Sequence, residues 1–292
     1  MSFAGTYTAL VTPFKNGAFD REAFRALIEM QISGGVEGIV PVGTTGESPT
    51  LTHEEHTEVI KTAIEAARRR CTVIAGTGSN STAEAISLTR EAERLGADAA
   101  LLVAPYYNKP SQEGLYRHYR AIASAVRIPI VLYSIPGRCG IEIGVETVAR
   151  LASDCANIVC IKEAGGSVER VSQLRQAVPD SFEILSGDDS LTLPFLSAGG
   201  VGVISVASNL VPREVSAFVR AWRDGRVQEA VEAHRHFYRL FKDLFIEPNP
   251  VPIKYALSLK GTMRAEVRLP LCEMIDSNKE KLRSTLTALK IL

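Results

Sequence analysis

Short runs of apolar residues recur along the first two thirds of the chain, separated by stretches with helical periodicity. Gly38-Ile-Val-Pro-Val42, Ile158-Val-Cys-Ile161 and Val201-Gly-Val-Ile204 are apolar throughout rather than alternating. Such continuous runs are typical of parallel strands that helices cover on both faces. The predicted strands are centred near Tyr7, Ile39, Val73, Ala99, Ile130, Val159, Glu183 and Val203. Their separations of 20 to 34 residues each accommodate one strand and one covering helix.

The stretches between these runs carry signals for helix starts and ends. Asp20 precedes apolar residues at helical spacing, and Gly34-Gly35 ends that stretch. Thr52-His-Glu-Glu55 and Ser81-Thr-Ala-Glu84 both match the capping box that begins a helix. After residue 210 only helical patterns remain, and they start near Pro212, Arg226 and Asp276, with a break at Glu247-Pro-Asn-Pro250.

Strands that alternate with helices in this way predict a (β/α)8 TIM barrel of the α/β class, because right-handed crossovers close such a series. We expect residues 1–225 to form the barrel and residues 226–292 to form a C-terminal helical extension packed on it. An open, doubly wound sheet is the alternative. It is disfavoured because Gly76-Thr-Gly78 lacks the third glycine of a dinucleotide-binding turn.

Composition narrows the range of partners. The chain has 33 basic and 33 acidic residues without a basic stripe, which argues against nucleic acid as a partner and permits self-association. Five scattered cysteines without a C-x-x-C pair indicate reduced thiols and a cytoplasmic location. No apolar stretch has the length of a membrane span. No metal or other cofactor is expected, since His53-Glu-Glu-His56 does not have metalloprotease spacing.

Lys162 is the residue with the clearest chemical implication, because it ends a predicted strand after four apolar residues. Burial disfavours a charged ammonium and lowers its pKa, and a neutral amine can attack a carbonyl to form a Schiff base. In a barrel of this type, reactive side chains lie at the C-terminal ends of the strands. The alternative is a structural lysine that extends to solvent or pairs with Glu163.

Other strand ends supply groups that suit this chemistry. Tyr133 ends the preceding strand and could transfer protons during Schiff-base formation, although it could also be a packing residue. Thr44 and Thr45 form a glycine-flanked turn that could bind a carboxylate or relay protons, or simply cap a helix. Arg138 could hold a substrate carboxylate through two parallel hydrogen bonds, or could be a surface charge.

Together these motifs resemble the dihydrodipicolinate synthase family within the pyruvate-dependent class I aldolases. The resemblance extends from Gly5 to about Leu271. Its most specific stretches are Val42-Gly-Thr-Thr-Gly-Glu47, Ala75-Gly-Thr-Gly78, Pro105-Tyr-Tyr-Asn-Lys-Pro-Ser-Gln-Glu-Gly-Leu115, Ile161-Lys-Glu163, Ser186-Gly-Asp-Asp189, Gly202-Val-Ile-Ser205 and Glu247-Pro-Asn-Pro250.

The resemblance implies that Lys162 forms a Schiff base with pyruvate, and that the resulting enamine attacks L-aspartate 4-semialdehyde in lysine and diaminopimelate biosynthesis. It assigns a proton relay to Tyr133, Thr44 and Tyr107, with Tyr107 supplied by a neighbouring subunit. The implied substrate-binding residues are Thr45 for the pyruvate carboxylate, Arg138 for the semialdehyde carboxylate, and Gly187 and Ile204 through their backbones. It also implies a homotetramer built as a dimer of dimers.

A feedback site for L-lysine is implied by a second set of residues, Ser48, Leu51, His53, His56, Asn80, Glu84 and Tyr106. Two solvated helix starts are the structural alternative for these positions. Ser134 and Cys139 depart from the asparagine and threonine that relatives often carry beside the barrel tyrosine and arginine. Two other functions stay open: a sister aldolase such as an N-acetylneuraminate or keto-deoxy-sugar lyase, or a non-catalytic barrel that senses amino acids.

Overall fold

A computed structural model describes residues 2–292 of the chain. The strands in that range are β1 (Gly5–Ala9), β2 (Phe14–Lys15), β3 (Ala18–Phe19), β4 (Gly38–Val40), β5 (Thr72–Gly76), β6 (Ala99–Val103), β7 (Ile130–Ser134), β8 (Ile158–Glu163), β9 (Glu183–Ser186) and β10 (Gly202–Ser205). The α-helices are α1 (Arg21–Gly34), α2 (His53–Ala67), α3 (Thr82–Leu95), α4 (Gln112–Ala123), α5 (Pro136–Cys139), α6 (Val145–Asp154), α7 (Val168–Ala177), α8 (Thr192–Ser197), α9 (Pro212–Arg223), α10 (Val227–Asp243), α11 (Val251–Leu259) and α12 (Asp276–Ala288).

The longer strands form a closed parallel barrel in the order β1-β10-β9-β8-β7-β6-β5-β4. Each coincides with a predicted apolar run, so the (β/α)8 prediction is confirmed. The runs are apolar throughout because both faces of a strand are covered, as in β4, where every residue is buried. Strands β2 and β3 pair as a separate antiparallel hairpin. They were not predicted, because two-residue strands are too short to show a hydrophobic period.

The first of two compact units consists of Val73–Ile204 together with residues 2–4. Its strands β5 to β10 pair in parallel, each with the next along the chain. Tyr133 of β7 is the register partner of Lys162 of β8. Buried apolar side chains from β6, β7, β8 and β9 and from α4, α6 and α7 form one hydrophobic cluster. This packing fixes the C-terminal ends of β7, β8 and β9.

The second unit consists of Gly5–Thr72 and Ser205–Leu292. In it β1 and β4 pair in parallel, α9 packs on α1, α10 packs on α9, and α12 packs on both α10 and α11. The buried carboxylate of Asp243 anchors the last helix, because it accepts a 2.6 Å hydrogen bond from the Thr285 hydroxyl and lies 3.2 Å from Lys281 Nζ. The division into a barrel up to residue 225 and a separate extension stays a prediction.

The signals in the sequence for helix starts correspond closely to the observed N-terminal ends of the helices. Asp20 caps α1, and Thr52 and Glu55 form a complete capping box at α2. At α3 only half of the predicted box forms, since Ser81 accepts from the Glu84 N–H while the Ser81 N–H donates to Ser79. The Glu84 carboxylate accepts a hydrogen bond from the Ser79 hydroxyl. Within residues 2–292, no helix is both long and apolar enough to cross a membrane.

Candidate active site

Lys162 lies near the C-terminal end of β8, and its side chain is only 6% exposed. Its Nζ is 4.1 Å from the centre of the Tyr133 ring, which projects from the neighbouring position on β7. The parallel register places both side chains at the same height in the first unit. The lysine amine and the aromatic ring of the tyrosine are therefore in direct contact at the ends of two paired strands.

Burial lowers the pKa of Lys162 to about 7; the Asp189 carboxylate opposes this shift, and the Arg138 guanidinium adds to it. A lysine with such a pKa is about half neutral at pH 7, whereas an ordinary lysine is almost fully protonated. The neutral fraction carries the lone pair that attacks a carbonyl. The environment of Lys162 therefore favours a nucleophile over a structural cation.

Glu163 is fully buried, but its partner is Arg170 and not Lys162. The Arg170 Nε donates to Glu163 at 2.7 Å, and the same guanidinium donates to the Ile143 carbonyl oxygen and lies 3.1 Å from Glu142. Burial raises the pKa of Glu163, and the Arg170 charge counteracts that rise. The alternative in which Lys162 pairs with Glu163 is therefore wrong, because Arg170 of α7 neutralises that carboxylate.

Gly187 follows β9 where the backbone passes close to Lys162. A Cβ at this position would lie 2.6 Å from the Ala164 Cβ and 3.0 Å from the Lys162 Cε. Ile204 is buried in β10. Space beside the lysine side chain therefore requires a glycine at position 187.

The turn after β4 belongs to the second unit and contains both candidate threonines. Thr44–Gly46 forms a single turn of 3₁₀ helix, and Thr45 is buried. The Asn249 side-chain amide donates to the Thr45 Oγ1 at 2.9 Å, and the Thr12 hydroxyl donates to the Gly46 carbonyl oxygen at 2.7 Å. The turn is therefore held by one side chain that precedes it in the sequence and one that follows it.

Glu47 ends this turn with its side chain almost completely buried. Its carboxylate forms an ion pair with Lys254 of α11 and accepts a 3.0 Å hydrogen bond from the Arg268 N–H. Lys254 Nζ also donates to the Glu266 carbonyl oxygen at 2.8 Å and lies 4.2 Å from the centre of the Phe14 ring. Sequence reasoning missed this cluster, and it named Asn249 only as part of the Glu247-Pro-Asn-Pro250 stretch. The contacts themselves join positions more than 200 residues apart in the sequence, so no local pattern indicates them.

The loop after β6 presents two tyrosines differently. Tyr107 is 89% exposed and has a φ of +72°, in the left-handed region, so its ring extends into solvent. Tyr106 is less exposed; burial, followed by the Glu84 carboxylate, raises the pKa of its phenol. The Asn80 amide donates to the Tyr106 carbonyl oxygen at 3.2 Å. The first unit therefore brings together three of the residues predicted for lysine binding.

The remaining predicted residues have mixed environments. In the second unit, Ser48 begins a 3₁₀ turn that ends before Leu51, His53 is exposed and His56 is buried.

In the first unit, Arg138 is exposed in α5, whereas Ser134 and Cys139 are buried. Burial raises the pKa of the Cys139 thiol to about 11, so it is not a thiolate nucleophile. No group of three His, Cys, Asp or Glu side chains among the described residues could hold a metal ion.

Comparison with known proteins gives a consistent result over the whole chain. The 4-hydroxy-tetrahydrodipicolinate synthase of Citrifermentans bemidjiense is 52% identical over 99% of this chain and 100% of its own length. The structure of the 4-hydroxy-tetrahydrodipicolinate synthase from Methylacidiphilum fumariolicum SolV is 58% identical with a TM-score of 0.98, covering 99% of this chain and 96% of that one. A structure of the enzyme from Cyanidioschyzon merolae with lysine bound is 44% identical with a TM-score of 0.97, covering 99% of each chain.

The pattern of the dihydrodipicolinate synthetase family matches residues 2–289. The resemblance read from the sequence motifs is thereby confirmed. The chain belongs to the dihydrodipicolinate synthetase family.

Proposed function

We propose that this protein condenses pyruvate with L-aspartate 4-semialdehyde, the reaction of a 4-hydroxy-tetrahydrodipicolinate synthase, through a Schiff base on Lys162. The observation that carries the proposal is the buried Lys162 amine, with a pKa lowered to about 7, beside the Tyr133 ring. A covalent route of this kind needs a neutral amine and a nearby group that transfers protons.

In the proposed reaction, the Lys162 amine adds to the ketone carbon of pyruvate, and loss of one water gives the Schiff base. Removal of a methyl proton then gives an enamine, whose terminal carbon bonds to the aldehyde carbon of the semialdehyde. The amino group of that second substrate attacks the Schiff-base carbon, closes the ring and releases Lys162. The net change is loss of one water, so neither an oxidant nor a reductant is required.

Tyr133 is proposed to move protons to and from the carbinolamine oxygen, together with Thr44 and a Tyr107 from a neighbouring subunit. Thr45 would hold the pyruvate carboxylate, and Arg138 would bind the semialdehyde carboxylate, while Gly187 and Ile204 contribute their backbones. The exposed guanidinium of Arg138 supports its role, since it is accessible to a second substrate. Its charge also acts on Lys162, as the shift in the lysine pKa indicates.

The choice of aldehyde separates this function from that of a sugar-derived keto-acid lyase. Pyruvate-loaded protein is to be given L-aspartate 4-semialdehyde, N-acetylmannosamine and glyceraldehyde in parallel, with product followed by mass. Product is expected with the semialdehyde, at a kcat/KM at least about 100-fold above that with the sugar aldehydes, because Arg138 pairs with its carboxylate. Preferred use of a sugar aldehyde would instead favour a sister lyase.

We also propose a homotetramer built as a dimer of dimers, in which Tyr107 completes the site of a neighbouring subunit. The outward direction of its ring, at 89% exposure and with positive φ, supports this assignment. A side chain that already extends into solvent is accessible to a partner without a change of the backbone. Native mass spectrometry is expected to give a mass of four chains, and a monomer at micromolar concentration would contradict the proposal.

L-Lysine is proposed as a feedback inhibitor that binds through the residues Ser48, Leu51, His53, His56, Asn80, Glu84 and Tyr106. The lysine-bound relative supports this proposal, as does the Glu84 carboxylate, which can pair with an amino group. Millimolar L-lysine is expected to inhibit the wild-type enzyme, and Glu84→Gln is expected to weaken inhibition about tenfold, as loss of a charged hydrogen bond would. Activity that millimolar L-lysine leaves unchanged would rule out the feedback site.

A further inference from the structure

The turn that carries Thr44 and Thr45 has an unfavourable backbone at both ends. Val42 has a φ of +50° and Glu47 a φ of +56°, both in the left-handed region. Such a conformation is disfavoured for a β-branched residue such as valine, and it persists only where surrounding groups enforce it. The geometry of the threonine turn therefore depends on the groups that hold it.

Those groups come largely from the chain beyond residue 245. Lys254 and the Arg268 N–H hold the Glu47 carboxylate, as described above. Asn249 holds the turn at its centre, where its Nδ2 donates to the Thr45 Oγ1 at 2.9 Å. Asn249 is 5% exposed and Thr45 is 4% exposed, so this bond is shielded from water. A hydrogen bond in such an environment controls the orientation of the hydroxyl strongly.

The direction of this hydrogen bond determines what the Thr45 hydroxyl can do. A hydroxyl has one proton to donate and two lone pairs that accept. Because the Asn249 amide donates to the oxygen, the hydroxyl proton is directed to a different acceptor. A substrate carboxylate can only accept hydrogen bonds, so it needs a donor of this kind.

We propose that Asn249 is a positioning residue, which presents the Thr45 hydroxyl as a hydrogen-bond donor to the carboxylate of pyruvate. This inference rests on the proposed function, which assigns Thr45 to that carboxylate. In this role Asn249 acts on the substrate through Thr45 and supplies no reacting group itself. The C-terminal segment thereby contributes to substrate affinity without supplying a catalytic group.

The test uses Asn249→Asp, which keeps the shape of the side chain and replaces its donor by an acceptor. The Thr45 hydroxyl is then expected to donate to the new carboxylate, so it no longer donates to the carboxylate of pyruvate. The pyruvate concentration that gives half-maximal borohydride trapping should rise about 10- to 100-fold, as expected for one charged hydrogen bond. The adduct at saturating pyruvate should reach the wild-type level, because the Lys162 chemistry is unchanged.

Thr45→Val and the double variant complete a mutant cycle. Asn249→Asp is expected to have a much smaller effect on half-maximal trapping once the Thr45 hydroxyl is absent, since only the repulsion between the two carboxylates then remains. If Asn249 were merely structural, its effect would be equal in both backgrounds, which would overturn the proposal. If the Thr45 hydroxyl instead donates to the side-chain oxygen of Asn249, the variant Asn249→Asp preserves that hydrogen bond. A wild-type pyruvate response of this variant would therefore also overturn the proposal.

Failure of the proposed function has a different result, namely that wild-type protein forms no pyruvate adduct. Should Asn249→Asp fail to fold, Asn249→Ala is measured by the same trapping assay, once in the wild-type background and once in the Thr45→Val background. Asn249→Ala removes the donor without adding an acceptor, so a smaller rise in the pyruvate concentration for half-maximal trapping is expected. That rise should again occur only in the background that has the Thr45 hydroxyl. Equal responses in the two backgrounds would overturn the proposal here too.

Discussion

Borohydride reduction of the protein in the presence of pyruvate is expected to leave one stable pyruvate adduct on Lys162. The reason is that its amine is buried, has a pKa of about 7 and lies beside Tyr133. Intact mass and peptide mapping measure the adduct. Lys162→Ala is expected to form none, and its kcat/KM should be at least about 10⁴-fold lower, because the covalent route is removed.

Lys254 is the internal control for this experiment. It is also buried, and burial lowers its pKa to about 8 despite the Glu47 carboxylate. Its Nζ, however, is engaged by Glu47 and by the Glu266 carbonyl oxygen. We therefore expect no adduct on Lys254. An adduct there, or no adduct anywhere in folded protein, would contradict the assignment of Lys162 as the nucleophile.

The rate of adduct formation should depend on pH through the same group. Since the folded-state pKa of Lys162 is lowered from 10.5 to about 7, the reactive neutral form increases as pH rises through that value. The neutral fraction is about 9% at pH 6 and about 91% at pH 8, so the initial rate should rise about tenfold and then level off. A rate that keeps rising tenfold per unit to pH 10 would indicate an ordinary lysine.

The largest expected effect on stability comes from breaking the buried ion pair between Lys254 and Glu47. Replacing the lysine by methionine keeps a side chain of similar length but leaves the buried Glu47 carboxylate without its cation. Removal of one partner from such a pair typically costs about 3–5 kcal/mol. Urea unfolding followed by circular dichroism is expected to show a decrease of that size in the free energy of unfolding.

Lys61→Met provides the matched control, because Lys61 lies 4.0 Å from Glu65 with both side chains largely exposed. An exposed pair one helical turn apart contributes about 0.3–0.5 kcal/mol, so the control should barely change the free energy of unfolding. The double variant Glu47→Leu/Lys254→Met removes both charges and should recover part of the loss. Similar costs for Lys254→Met and Lys61→Met would refute a stabilising role of the buried pair.

The barrel and its lysine could be predicted because their signals are local. Continuous apolar runs of four or five residues predict a strand that is covered on both faces, and one such run leads directly to Lys162, near the C-terminal end of β8. Thr52 and Glu55 are three residues apart, so their capping box was equally visible. Each of these features depends on neighbours within about one helical turn or one strand length.

Local signals fail where a nearby partner competes for the same group. The capping box at α3 was half wrong because the Ser79 hydroxyl donates to Glu84 and accepts from the Ser81 N–H. The suggested pairing of Lys162 with Glu163 was wrong because successive residues of a strand point to opposite faces. The carboxylate of Glu163 therefore meets Arg170 rather than its neighbour in the sequence.

The groups that hold the threonine turn were beyond reach of the sequence patterns. Asn249 and Thr45 are 204 positions apart, and Lys254 and Glu47 are 207 positions apart. A lysine within an otherwise apolar helix stretch was the one available signal, since a fully buried cation requires an acidic partner. The sequence does not indicate which of the 33 acidic residues that partner is.

The interdependence of the threonine turn and the C-terminal segment limits how far this protein can be simplified by engineering. A shortened chain ending at residue 225 would retain all the barrel strands and all the side chains proposed for the reaction. It would lack the cation opposite Glu47 and the amide that faces Thr45. We therefore expect that a shortened synthase needs residues 249–268 as well as the barrel strands.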